Sequence, residues 1–178
     1  MFFIPGILIS IVTFPGVIIH ELAHQIFCYL CKVPVYEVKY FQFKNPNGYV
    51  AHEKIDSPLK NLIIAIGPFF INTLLGAIIL FPASIEVTAF SVATSPLNIL
   101  IYWLGISIIM HAFPSTGDAQ NIIENILKNK DVSILTKMLA APIIGLIYLG
   151  AIGSAFWLDL GYALLIAFLI PKLIYIFI

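Results

Sequence analysis

The stretch of sequence that decides the fold is an apolar run near the start of the chain, FFIPGILISIVTFPGVIIHELAHQIFCYL, from Phe2 to Leu30. As a helix rising about 1.5 Å per residue, it is long enough to cross a hydrocarbon core of about 30 Å. Pro5 and Pro15 predict a kink or a half-helix entry within it. No basic residue precedes the run and no small-x-small cleavage site follows it, so we interpret it as a retained helix rather than a signal peptide.

The second half of this run contains a candidate metal motif, His20-Glu21-Leu22-Ala23-His24. Residues four apart lie on one face of a helix, so both imidazoles can reach a single ion. Histidines at this spacing, with a glutamate after the first, are typical of zinc sites in which the glutamate is the general base. An ionisable residue deep in an apolar segment also indicates a functional site. We therefore predict one zinc ion bound by His20 and His24, with Glu21 as the catalytic residue.

Composition indicates a membrane protein. Of the 178 residues, 61% are hydrophobic and 10% are charged, and the mean hydropathy is +1.03. Soluble domains carry about 25% charged residues. The net charge is zero, and the absence of a basic patch with interleaved aromatic residues argues against nucleic-acid binding. Cys28 and Cys31 form a C-x-x-C, which we interpret as packing at a helix end, with a redox or metal role as the alternative.

The remaining apolar segments predict an all-α polytopic membrane protein with about five transmembrane helices. A loop is expected at 82–98, and helical spacing continues over 119–130. We predict a single membrane domain, 1–178, in which 1–125 form a core and 132–178 add two C-terminal helices. After the first helix, the predicted spans are Leu59–Phe81, Leu97–Phe113, Ile134–Trp157 and Leu160–Ile178.

A small β-hairpin is expected at the membrane surface after the first helix. Val35 to Phe43 is rich in β-branched and aromatic residues, Asn45-Pro46-Asn47-Gly48 has turn chemistry, and Tyr49 to His52 is typical of a return strand. The segment is either a solvated connector or an edge strand to which an extended substrate adds.

Lysines predict the orientation, because they are enriched in cytoplasmic loops. Lys32 to Lys60 contains five lysines, three flank the loop after the third helix, and Lys172 lies near the end of the fifth. The connection between the second and third helices has none. This pattern places the N-terminus outside and the metal motif toward the cytoplasmic side.

A catalytic zinc site needs a third protein ligand, because it takes three and leaves one position open. Asp118, His111 and His52 are the candidates. Asp118 is favoured, since it follows the third helix at a glycine-bearing break whose irregular backbone can line a cavity. The alternative is that Asp118 caps the helix that starts at Ala119, although Ser115 or Thr116 could cap it equally well. Asn72, an amide surrounded by apolar residues in the second helix, is either helix–helix glue or a functional group.

Together, three features resemble the motifs of the site-2 protease family of intramembrane zinc metalloproteases: the His20 to His24 motif, Gly67-Pro68 with Asn72, and Asp118 after a third helix. The resemblance covers about Phe2 to Asn125. The family's third motif usually reads Leu-Asp-Gly, whereas here Gly117 precedes the aspartate. A membrane-associated β-sheet after the first motif helix also characterises the family and is similar to the predicted hairpin.

The resemblance implies a zinc metalloendopeptidase that hydrolyses peptide bonds in or near transmembrane segments, as a minimal member without a PDZ insertion. It implies that His20, His24 and Asp118 bind the zinc, that Glu21 activates water, and that Asn72 holds substrate or the oxyanion, a role for which His111 is a second candidate. The expected partners are a membrane-protein or peptide substrate and the lipid bilayer, in a prokaryotic cell membrane. The alternatives are a catalytically inactive relative that binds metal for structure, regulation or metal handling, and a small transporter or scaffold.

Overall fold

The computed structural model describes residues 6–88 and 95–177. The protein is mostly helical (75%). A two-stranded sheet follows the first two α-helices. A π-helix at Ile123–Leu127 follows the fifth α-helix, and a 3-10 helix at Ser154–Phe156 follows the sixth. The α-helices of the described residues are α1 Gly6–Val12, α2 Phe14–Leu30, α3 Pro58–Thr88, α4 Pro96–Met110, α5 Thr116–Ile122, α6 Ile134–Gly153 and α7 Leu158–Phe177.

The first predicted helix is broken just before Pro15, within the run where a kink or a half-helix entry is predicted. Helices α1 and α2 meet at 92°. Pro15 lies in the first turn of α2, where its missing N–H is tolerated, and it could not continue α1 without losing a hydrogen bond. Thr13 occupies the break, and its hydroxyl donates to the carbonyl oxygen of Ile9 at 2.7 Å. The predicted start at Phe2 lies outside the described residues.

The predicted β-hairpin is confirmed, with a shorter first strand. Strands β1 (Val35–Lys39) and β2 (Tyr49–His52) are antiparallel. Val38 pairs with Val50, and the register shifts by one residue near the start of β1. The sheet is anchored by apolar side chains next to Cys28, which is a free, buried cysteine, as the packing interpretation expects.

The long helix α3 is the centre of the bundle, and it packs against α2, α4 and α7. It continues through Pro82 to Thr88, so the prediction of a loop over 82–98 was wrong for those residues; 89–94 lie outside the described residues, and Pro96 to Asn98 already belong to α4. It approaches α4 closely at two glycines. A Cβ at Gly76 would lie 3.0 Å from the carbonyl oxygen of Gly105, and one at Gly105 would lie 3.2 Å from that of Gly76.

The second half of the chain packs onto this bundle. Helix α4 ends at Met110, three residues before the predicted end, and His111 becomes its C-cap. The predicted helix at 119–130 is α5 followed by the π-helix, and its buried face meets α6 through Ala119, Ile122 and Ile144. Helix α7 contributes Ala163 and Ala167 to a second cluster with Ile109 of α4.

Two helices are long and apolar enough to cross a membrane, at 58–87 and 134–156, and the bent α1–α2 pair makes a third if it counts as one span. Helix α4 is apolar but has only 15 residues. By length and composition, the described residues therefore support two or three of the five predicted crossings. One face of α6 exposes a stripe of leucines that is costly in water, with 64–70% of each side chain accessible: Leu135, Leu139, Leu146 and Leu149.

Candidate metal centre

The two histidines of α2 face one point, as their spacing predicts. The rings of His20 and His24 lie on successive turns, with centroids 4.7 Å apart, and each residue is 7% exposed. Their Nε2 atoms are separated by 3.1 Å. The fold thus buries two imidazoles with their outer nitrogens in contact.

Backbone carbonyls fix the orientation of both rings. Nδ1 of His20 donates to the carbonyl oxygen of His111 at 2.7 Å, and Nδ1 of His24 donates to that of Ile64 at 3.0 Å. A carbonyl only accepts, so the proton of each neutral ring is on Nδ1 and the lone pair is on Nε2. Two lone pairs at 3.1 Å repel each other unless a cation lies between them. Histidines that bind metals are held by their second nitrogen in this same way.

Asp118 completes the set of donor atoms. Its Oδ2 lies 3.7 Å from Nε2 of His20 and 3.4 Å from Nε2 of His24. Ligand atoms bound to zinc tetrahedrally at about 2.0–2.1 Å are about 3.3 Å apart. The three observed separations, 3.1, 3.4 and 3.7 Å, bracket that value. The cluster fits a metal ion, and two imidazoles with one carboxylate are a ligand set that zinc accepts, as do other transition metals.

Asp118 is held in place by Ser115 through a capping box. Ser115 is the N-cap of α5, and its Oγ accepts from the backbone N–H of Asp118. In return, Oδ2 of Asp118 accepts from the backbone N–H of Ser115 at 2.9 Å and from its Oγ–H at 2.7 Å. The N-cap is therefore Ser115, and Asp118 takes the N3 position. The same carboxylate oxygen serves the cap and faces the histidines, so the ligand and capping interpretations are compatible.

Glu21 lies beside the cluster, between two cavities of about 440 and 240 Å³. It is 9% exposed. The turn between β1 and β2 covers it, because a Cβ at Gly48 would lie 2.6 Å from Cγ of Glu21 and 3.0 Å from its Oε1. Glu21, Pro46, Gly48 and Ser115 line both cavities, so the cavities meet at the glutamate under this turn.

The other two candidates for the third ligand lie outside the cluster. Nε2 of His111 is 2.8 Å from Oγ1 of Thr13. The Thr13 hydroxyl proton already goes to the carbonyl of Ile9, so the His111 ring is the donor in that bond. His52 is in β2, with Nδ1 2.8 Å from the carbonyl oxygen of Glu53. His111 lines the larger cavity and acts on the cluster through its backbone carbonyl, which holds His20.

Asn72 is fully buried, and its hydrogen bonds favour the structural interpretation. Its Nδ2 lies 3.2, 3.0 and 3.1 Å from the carbonyl oxygens of Gly16, Ile108 and His111. These contacts join α3 to α2 and to the end of α4. An amide nitrogen has only two protons to share among three acceptors, so none remains for a substrate. Since His111 O also accepts from His20, Asn72 supports the cluster indirectly.

Two further residues complete the surroundings of the site. Ser115, one of the two alternative caps that the sequence offered, is the N-cap and orients Asp118 through the S-x-x-D spacing of a capping box. Asn61, in the first turn of α3, is 3% exposed and lines the smaller cavity. The sequence feature that indicates Asn61 is the same as for Asn72, namely an amide side chain in an apolar helix.

Comparison with known proteins gave no family model, no curated protein and no solved structure that matches this chain.

Proposed function

We propose that this protein is a zinc-dependent intramembrane peptidase, similar to the site-2 proteases, that hydrolyses peptide bonds in or near transmembrane segments of membrane proteins. The observation that carries the proposal is the triangle of His20 Nε2, His24 Nε2 and Asp118 Oδ2, with the Glu21 carboxylate buried beside it. A metal site alone does not need an adjacent carboxylate that reaches two cavities, whereas hydrolysis needs both a base and room for water and substrate.

In the proposed hydrolysis, each group of the site has a separate role. When bound, zinc supplies Lewis-acid chemistry, which polarises a carbonyl and lowers the pKa of a water to about 7. Glu21 takes the proton of the attacking water and returns it to the leaving amine. The carbonyls of His111 and Ile64 hold the two imidazoles so that Nε2 stays free for the metal. Ser115 holds the carboxylate of Asp118 at the third corner.

In this proposal the five predicted segments cross the membrane, with the N-terminus outside and the site toward the cytoplasm. Water reaches Glu21 through the two cavities, which is required because peptide hydrolysis consumes a water molecule. A substrate helix unwinds locally, since its carbonyls are otherwise hidden in internal hydrogen bonds.

The Glu21→Gln variant tests catalysis separately from metal binding. The amide keeps the shape but cannot accept the proton, so we expect zinc content of one ion per chain as in the wild type and at least a 100-fold loss of cleavage. The measurements are elemental analysis of the purified protein and mass spectrometry of a pool of synthetic single-span peptides in detergent. Full activity in Glu21→Gln would refute the assignment.

The His24→Ala variant is the matched test of the metal. It removes one of three donors, so we expect zinc binding to fall by at least 100-fold and cleavage to disappear. Chelation of the wild type should abolish cleavage, and added zinc should restore it only where His24 is present. Zinc content unchanged in His24→Ala would contradict the proposed ligand set.

A second candidate function is metal binding without catalysis, and the turn at Gly48 favours it. Because this turn packs directly on Glu21, the general base is covered in the described conformation. The two candidates differ in one result: a non-catalytic metal protein binds zinc through His24 but cleaves no peptide of the pool, with or without Glu21→Gln.

A further inference from the structure

Asn61 provides a buried hydrogen-bond donor next to the candidate metal centre. The residue is 3% exposed, and its Nδ2 has no hydrogen-bond partner in the part of the chain that the structure describes. It lines the cavity of about 240 Å³ that also reaches Glu21, His24 and Asp118. A buried donor without a partner costs free energy, so a group that accepts a hydrogen bond is expected there when the site is filled.

The surroundings of Asn61 define what that group is. An amide N–H binds acceptors and not cations. The carboxylates of Glu21 and Asp118 line the same cavity, and they disfavour an anionic ligand such as a phosphate or a free carboxylate. The remaining walls include apolar residues of α3 and β2, among them Ile64 and Val50. The group must therefore accept a hydrogen bond, carry no negative charge and lie among apolar side chains. A neutral carbonyl oxygen on an otherwise apolar segment fits these three conditions.

We propose that Asn61 is a substrate-binding residue, whose Nδ2 donates a hydrogen bond to a backbone carbonyl of a peptide segment lying in the smaller cavity. An unwound segment in an apolar environment has carbonyls that have lost their helical partners, and Asn61 satisfies one of them next to the scissile bond. This role rests on the proposed peptidase function, and it differs from that of Asn72, whose N–H groups are used between helices.

The test measures peptide binding without cleavage. In the Glu21→Gln background, dye-labelled apolar peptides with a central Asn-Gly break are titrated in detergent, and binding is followed by fluorescence anisotropy. We expect Asn61→Leu to raise the Kd about 10-fold, the typical effect of one lost hydrogen bond to a buried group, with zinc content unchanged. Asn61→Asp, of the same shape but without the N–H donors, should weaken binding as well and serves if Asn61→Leu does not fold.

Asn98→Leu is the matched control, because Asn98 is a buried amide like Asn61, donates to Glu86 and lines neither cavity. It should leave the Kd unchanged. Equal Kd values for Asn61→Leu and its parent, or no peptide binding by either, would overturn the proposal. Cleavage by the wild type is measured in parallel. If the wild type cleaves but Asn61→Leu and its parent have equal Kd values, only the role of Asn61 is refuted. If binding depends on Asn61 but the wild type cleaves no peptide, the peptidase function is refuted and the peptide-binding site remains.

Discussion

At the scale of single residues, the carbonyl oxygen of His111 connects the bundle to the candidate metal centre. It accepts from Nδ1 of His20 at 2.7 Å and from Nδ2 of Asn72 at 3.1 Å. The first bond sets the tautomer of a predicted zinc ligand, and the second fixes the carbonyl itself. His111 therefore acts through its backbone, a role that its side-chain chemistry in the sequence could not reveal.

Asn72→Ala should weaken metal binding although Asn72 touches no ligand atom of the cluster. Removing its amide frees three carbonyls and lets that of His111 move, so we expect an affinity for zinc about 10-fold lower and a free energy of unfolding lower by about 1–3 kcal/mol. Zinc titration and thermal unfolding in detergent measure the two effects.

Asn98→Ala is the control for that variant. Asn98 is also a buried amide, but it lies in the first turn of α4, at the opposite end of that helix from His111, and it donates to Glu86 of α3. It should lower stability and leave zinc affinity unchanged. Equal zinc affinities of the Asn72 and Asn98 variants would contradict the link through His111.

At the scale of elements, the contact between α3 and α4 depends on Gly76. A Cβ at this position would clash with Cγ1 of Ile109 and lie 3.0 Å from the carbonyl oxygen of Gly105, so the helices must separate to admit it. We expect Gly76→Ala to lower the free energy of unfolding by about 1–3 kcal/mol, as overpacking does. Thermal unfolding in detergent measures the change.

Gly145→Ala provides the comparison for Gly76→Ala. A Cβ at Gly145 in α6 meets nothing within 4 Å, so the same substitution should be neutral or stabilise the helix by up to about 1 kcal/mol. A similar loss of stability in both variants would mean that the close approach of α3 and α4 is not the cause.

Elements whose cause is local were predictable from the sequence. The turn residues at 45–48 between two β-rich segments predicted the hairpin, and the apolar run from Ile134 predicted the start of α6. The i, i+4 spacing predicted that His20 and His24 share a face. Asp118 was reached by a requirement of chemistry rather than of local structure, since a zinc site needs a third ligand.

The features that the sequence could not specify come from contacts between distant parts of the chain. The bend at Thr13 is supported by His111, 98 positions later, and no local pattern indicates its angle of 92°. Pro82 predicted a helix end, but α3 continues past it, and α4 packs against the turn that follows: Ala83 and Ser84 are buried, and the Tyr102 hydroxyl donates to the carbonyl oxygen of Ala83. The partners of Asn72 and the cavity beside Asn61 are likewise products of packing.

At the scale of the whole molecule, polar and apolar surfaces are separated. The ionisable residues of the candidate site face inward, where α2, α5 and the β1–β2 turn enclose the two cavities. Helix α6 directs its exposed leucines outward. Under the proposed function the site opens toward water and the leucine face of α6 lies in lipid, and the lysine distribution predicts the orientation of the protein in the bilayer.

That orientation can be measured with single cysteines in a variant in which Cys28 and Cys31 are replaced by serine. Asn47, in the β1–β2 turn, should be cytoplasmic, and Ser95, the exposed N-cap of α4, should be outside. In intact cells, a membrane-impermeant maleimide should therefore label Ser95→Cys at once and label Asn47→Cys only after permeabilisation. The reverse pattern would invert the proposed topology, and labelling of both positions from outside would place both ends of α3 on one side, which is incompatible with α3 as a membrane-crossing helix.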